Sequence, residues 1–97
     1  MDRQRALQIL RQALPDLRQR YAVKELALFG STARDESGPE SDVDLLVTFE
    51  GPARFRAFMG LQFELEDLLG TRVDLVTIGA VKPALRPRID RDLIRVA

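Results

Sequence analysis

The segment DVDLLVTF, residues 42–49, constrains the fold most. Past Asp44 it is apolar on both faces of any strand it forms, so that strand has to be covered on both sides or central in its sheet. Two other runs have strand character: VKELALF at 23–29, leading into Gly30, and TRVDLVT at 71–77. Around them the period changes. Leu7, Leu10, Leu14, Leu17 and Tyr21 recur at three- and four-residue spacing, which predicts a packing helix over 3–21. Pro15 is expected to kink it or to start a second helix there. Phe58, Leu61, Leu65, Leu68 and Leu69 mark one face of the longest helix, 53–69. It follows the break at Glu50-Gly51-Pro52 and stops at Gly70.

The polar stretch STARDES, opened by Ser31, has room for one or two helical turns, and Gly38 and Pro39 mark a turn after it. From Pro83 onward Leu85, Ile89 and Leu93 keep helical spacing, interrupted by Pro87, so a short helix and a final extended stretch are expected. The order α-β-α-β-α-β-α in 97 residues describes one α/β domain with a small sheet.

Composition removes many chemistries. The chain has no cysteine and no histidine. Disulfides, iron–sulfur clusters, thiol nucleophiles and Ser-His-Asp catalysis are therefore excluded, along with most zinc sites. Carboxylates remain, and their oxygens favour hard ions such as magnesium or manganese. Fifteen basic residues balance fifteen acidic ones, which argues against a dedicated nucleic-acid binder. The amphipathic, charged start MDRQRALQIL is neither a signal peptide nor a membrane span, and the expected location is the cytoplasm.

Three features carry chemistry. Gly30-Ser31 follows a strand and precedes a possible helix. Glycine lets a phosphate approach the backbone, and free N–H groups at a helix start attract anions. Alone, Gly-Ser after a strand is more often a turn. Asp42-x-Asp44 opens the second strand. Alternation points both carboxylates to one face, with Cα atoms about 7 Å apart at the strand rise. Such a pair can share cations, and it reads equally well as two turn formers. Asp74 interrupts the apolar run Val73-Asp74-Leu75-Val76, where aspartate is disfavoured. Either it lies at an edge and pairs with Arg72 or another arginine, or it joins the first two aspartates from a neighbouring strand. A three-carboxylate cluster fits nucleotidyl transfer, in which two magnesium ions about 4 Å apart clamp the attacking and leaving oxygens.

Together these residues resemble a known signature. LFGSTARDESGPESDVDLLV is similar to the G-S-x(10)-D-x-D pattern of nucleotidyltransferases of the DNA polymerase β superfamily: Gly30-Ser31, ten residues, then Asp42-Val43-Asp44. VDLV around Asp74 looks like the strand that carries the family's third carboxylate. The length resembles that of the minimal bacterial and archaeal members. The resemblance implies a single α/β (α+β) domain over 1–97, with a mixed three-stranded sheet and helices packed on it, similar to the polymerase β palm. It also implies that Asp42, Asp44 and Asp74 are catalytic and hold two Mg2+ ions, with Asp74 helping to deprotonate an acceptor hydroxyl. Gly30 and Ser31 would hold the phosphates of ATP. Arg34 is a further phosphate contact, or a surface arginine paired with Glu36 or Asp35.

Minimal members often act beside a helical HEPN-type toxin. The resemblance therefore implies AMP transfer from ATP to a tyrosine of such a partner, with this chain as antitoxin. An independent argument also points to a partner. Transfer requires donor and acceptor to be held together, and one small sheet with its helices leaves little chain to bind the acceptor. Phe63, off the main stripe of the long helix, is a candidate contact, or an ordinary partly exposed apolar residue. Two other functions fit the sequence: a binding-only antitoxin, and a nucleotidyltransferase acting on a small molecule or an RNA end.

Overall fold

The computed structural model describes residues 1–36, 38 and 42–96. Helix α1 spans Arg3–Tyr21 and is capped by Asp2, whose carboxylate accepts from the Gln4 amide at 3.3 Å. Strand β1 (Val23–Phe29) runs into the single turn α2 (Gly30–Ala33). Strand β2 (Val43–Phe49), helix α3 (Phe55–Leu69) and strand β3 (Val73–Thr77) follow. A 3-10 turn at Ile78–Ala80, helix α4 (Arg86–Asp92) and strand β4 (Ile94–Arg95) complete the order. The turn expected from Gly38 and Pro39, and the Ser37 end of STARDES, lie at or beyond the edge of the described residues.

The sheet is mixed and four-stranded, in the order β3-β2-β1-β4. β1 pairs antiparallel with β2 and β4, and β2 pairs parallel with β3. β2 is thus central, as its apolar run requires. The fourth strand corrects the expected three. β4 has only two residues, too few to show a period, and its pairing becomes visible when Ala27 meets Arg95 and Leu28 meets Ile94. The next residue is held as well: Val96 N donates to Leu26 O at 2.9 Å, and its carbonyl accepts from Arg11 Nε at 2.7 Å.

The core lies between one sheet face and the helices α1 and α3. Leu10, Leu14 and Leu17 of α1 and Leu61 and Leu65 of α3 are fully buried there with Leu28, Val43, Leu45 and Val47. Of the expected α3 stripe, Leu61, Leu65 and Leu69 are buried, Phe58 is half-buried and Leu68 is 37% exposed. Helix α1 passes through Pro15 without a second helix starting, so among the described residues α1, with 19 residues, is the longest helix and not α3, with 15. Pro15 is exposed, so the one backbone hydrogen bond it cannot make is lost on the water-facing side of a helix anchored by four buried leucines. Gly60 packs where a side chain would meet the Tyr21 ring, 2.8 Å from Cε1, and this lets α1 and α3 approach.

Alternation then sends Asp44, Leu46 and Thr48 of β2, Ala27 and Phe29 of β1, and Asp74 and Val76 of β3 to the opposite face. Among the described residues, the 3-10 turn and α4 border that face, and it carries the candidate site.

Candidate active site

Strand register brings the site together. Phe29 lies opposite Asp44 in the antiparallel pair, and Asp44 lies beside Asp74 in the parallel pair. The end of β1 and the starts of β2 and β3 therefore meet at one edge of the open face. Asp42 immediately precedes β2, one residue outside the strand expected to begin with it. The Val43 amide donates to Arg72 O at 3.0 Å, which fixes where β2 and β3 begin together. Helix α3 holds β3 in place: Glu66 Oε2 accepts from Val73 N at 3.1 Å, and Gln62 Nε2 donates to Val73 O at 3.3 Å. Asp74 is thus carried by a strand whose backbone is clamped one residue earlier.

The Asp44 carboxyl is half-buried and its pKa is pushed up to about 6. Burial is the main cause. The charges of Asp74 and Asp42 add to it, as does a side-chain hydrogen bond with Asp74, while Arg34 pulls the other way. Asp74 thus lies beside Asp44, as the strand register also places it, and Asp42 is near enough for its charge to be felt. The Asp42 carboxylate is exposed and lies 3.8 Å from Arg72 Nε. Arg72 thus pairs with Asp42 and not with Asp74, although β3 is indeed an edge strand. Among the described residues, no three acidic side chains converge closely enough to enclose a cation. The donor chemistry still suits one: oxygen ligands only, two of them in contact, with like charge left uncompensated.

Gly30 makes this crowding possible. Its φ is +73°, in the left-handed region that side chains disfavour. A side-chain carbon at position 30 would overlap Asp44 Oδ2 and lie 3.0 Å from Cγ. The glycine thus serves both the turn and the close approach of Asp44 to the backbone. Gly30, Ser31 and Thr32 open α2, where backbone amides have no acceptor within the helix. Ser31 is half-buried at this edge. Arg34 is engaged twice: Nε bonds Glu36 at 3.1 Å and Nη1 bonds Asp92 of α4 at 2.6 Å. The Glu36 pairing matches the surface-arginine alternative, while the Asp92 pairing ties the site edge to α4.

Sequence reasoning missed the residues that wall the site. Phe29, Leu85 and Ile89 border a cavity beside Gly30 and Arg34. The Leu85–Ile89 spacing was visible, but it showed only a helix face and not what that face covers. Phe29 had no signal until its register against Asp44 was known. Phe63 is 59% exposed on α3, away from the carboxylates. Among the described residues, no helix is long and apolar enough to cross a membrane.

A mixed sheet that sets strand carboxylates beside a glycine-serine turn is the arrangement of enzymes that transfer nucleotidyl groups. Residues 10–96 match the family model described as the nucleotidyltransferase domain, and the chain belongs to that family. It is 41% identical over 81 residues to the protein adenylyltransferase MntA of Thermococcus cleftensis, covering 84% of this chain and 82% of that one. A solved minimal nucleotidyltransferase superposes with a TM-score of 0.81 at 38% identity, covering 97% of this chain and 95% of that one. The fold is also shared, at a TM-score of 0.67 and 19% identity, with a complex of a tri-AMPylated Shewanella oneidensis HEPN toxin and its MNT antitoxin. That match covers 94% of this chain and 71% of the other.

Proposed function

We propose that this nucleotidyltransferase is a magnesium-dependent protein adenylyltransferase, transferring AMP from ATP to a tyrosine hydroxyl of a HEPN-type toxin and acting as its antitoxin in the cytoplasm. The observation that carries the reading is the contact of Asp44 with Asp74 across the parallel pair, beside Gly30. In this reading Asp42, Asp44 and Asp74 would hold two magnesium ions, which when bound would neutralise phosphate charge and make the acceptor hydroxyl more acidic. Gly30 and Ser31 receive the β- and γ-phosphates, and Arg34, which borders the same cavity as Gly30, is a further phosphate contact. The acceptor oxygen forms a bond to the α-phosphorus as the α–β phosphoanhydride bond breaks. Pyrophosphate leaves, and the hydroxyl proton passes to the Asp74 carboxylate. The 41% identity to the protein adenylyltransferase MntA of Thermococcus cleftensis supports a protein acceptor, and the shared fold with an AMPylated toxin complex fits a HEPN partner.

The test is incubation with α-labelled ATP and magnesium, with and without a HEPN-type partner protein. Label should appear on the partner and vanish with Asp42→Asn. Label on a small molecule or RNA instead would replace the acceptor. A stable, neutralised complex without label, unaffected by Asp42→Asn and Asp44→Asn together, would establish neutralisation by binding alone.

A further inference from the structure

Helix α4 ends on an acid, where helix electrostatics favour a base. The last carbonyls of a helix carry partial negative charge and attract cations. Asp92 is the final residue of α4, and Leu93 after it is already extended. Its carboxylate turns to Arg34: Arg34 Nη1 donates to Asp92 Oδ2 at 2.6 Å, and the Asp92 side chain is only 25% exposed. Glu36 accepts from Arg34 Nε at 3.1 Å from a side chain that is 66% exposed. Both acids hold the Arg34 guanidinium above its ordinary pKa, Asp92 more than Glu36.

Strand β4 fixes where Asp92 stands. Two residues after it, Ile94 pairs with Leu28, and Val96 N donates to Leu26 O at 2.9 Å. Leu28 in turn lies two residues before Gly30. The strand that delivers the glycine-serine turn therefore also anchors the segment that delivers Asp92. The backbone of Arg34 belongs to the same turn, since its amide donates to Gly30 O at 3.1 Å. From the other side, Arg3 Nη1 donates to Ala33 O at 3.2 Å. Backbone and carboxylate are both tied to β1, and the long arginine side chain is held between them.

Two observations place the guanidinium at the site. Arg34 borders the cavity of about 240 Å3 that contains Gly30, and its charge is felt at Asp44. An arginine has five N–H donors. Asp92 and Glu36 take two, and among the described residues nothing accepts from the other three. A free arginine loses rotamer freedom when it meets a phosphate, and one already held has less to lose.

We infer that Asp92 is a positioning residue: it holds the Arg34 guanidinium at the cavity beside Gly30, with the unengaged N–H groups presented to the phosphates of the nucleotide. This deepens the adenylyl-transfer reading and rests on it only for Arg34 meeting phosphate. The two residues of β4 thereby gain a use, which is to set Asp92 against the turn. Charge alone predicts the opposite sign. Asp92 brings a negative charge to the border of that cavity, so removing it should favour a polyanion. Positioning requires that its removal weaken binding.

The test is calorimetric titration of the full chain with a non-hydrolysable ATP analogue plus magnesium. Asp92→Asn should weaken binding about tenfold, as for loss of one charged hydrogen bond. Arg34→Ala should weaken it at least as much, and adding Asp92→Asn to Arg34→Ala should cost nothing further. Arg34→Lys, which keeps the charge and loses the fork, should fall with Asp92→Asn. Binding by Asp92→Asn as tight as the wild type's, or tighter, would overturn the inference in favour of charge alone. An equal loss from Asp92→Asn with and without Arg34 would also overturn it, because Asp92 would then act on the fold. Undiminished binding by Arg34→Lys would do the same. Label transfer is measured in parallel. A chain that shows the coupling but transfers no AMP would sink the transfer reading and leave the role of Asp92 standing.

Discussion

Replacing Asp44 with asparagine should make the metal-free protein more stable while abolishing transfer. The carboxyl is pushed from 3.8 up to about 6 by burial and by the charges of Asp74 and Asp42. A shift of that size corresponds to about 3 kcal/mol if undiminished, and to about 1–2 kcal/mol once water screening at a half-buried group is allowed for. The sign follows from proton binding. The folded protein holds the Asp44 proton more tightly than the unfolded chain does. The group therefore favours folding fully below about pH 3.8, and that contribution is lost as pH rises through about 6. At pH 7.5 the wild type carries the whole penalty, and asparagine, uncharged and able to donate to Asp74, relieves it. Thermal unfolding in EDTA should place the variant above the wild type by about 4–8 °C per kcal/mol for a domain of this size. The gap should close near pH 3.5. Added magnesium should raise the wild type and leave the variant nearly unmoved. A variant that melts at or below the wild type in EDTA at pH 7.5 would refute the argument that like charge is stored at this site.

Gly30→Ala should cost about 1–2 kcal/mol for the left-handed backbone alone, more once Asp44 is displaced, and transfer should fall with it; denaturant titration and label transfer check both. Ser31→Ala should weaken ATP binding by about 1–2 kcal/mol, as for one charge-assisted hydrogen bond, and calorimetry showing equal or tighter binding would direct the hydroxyl elsewhere. Thr32→Val should leave the fold intact and stabilise it by about 1 kcal/mol, because Thr32 Oγ1 is buried and meets no partner among the described residues. Leu61→Ala, by contrast, should cost about 2–5 kcal/mol, since Leu61 is fully buried between α3 and the sheet.

The parts of the molecule legible in the sequence are those set by local pattern. The leucine periods of α1 and α3 and the two-sided apolar run of β2 each report an environment that the segment meets along its whole length. The glycine-serine turn and the paired aspartates stood out because each residue type conflicts with its surroundings unless it has a use. The illegible parts depend on what comes from elsewhere in the chain. Two residues of β4 carry no period, and only the β1 edge reveals them as a strand. Pro15 suggested a break because a proline's cost is local, whereas the four buried leucines that keep α1 intact act through the core. Phe29, Leu85 and Ile89 border the cavity beside Gly30 through tertiary placement alone. Asp74 was readable as either an edge residue paired with an arginine or the third member of a carboxylate cluster; the structure exposes it on an edge strand beside Asp44, and among the described residues no three acidic groups converge.

The parallel pairing of β2 with β3 also makes Asp74 a register marker. Side chains on β3 alternate between the leucine-lined core and the open face, and Val73 and Leu75 take the core side. Sliding β3 by one residue would turn its whole pattern over, driving the Asp74 carboxylate against Leu61 and Leu65 and expelling Val73 and Leu75 into water. The misaligned sheet is therefore poor in two ways at once, and a strand of only five residues is left with one acceptable alignment. That alignment is the one that sets Asp44 beside Asp74, so a chain that has folded has, by the same event, brought these two carboxylates together.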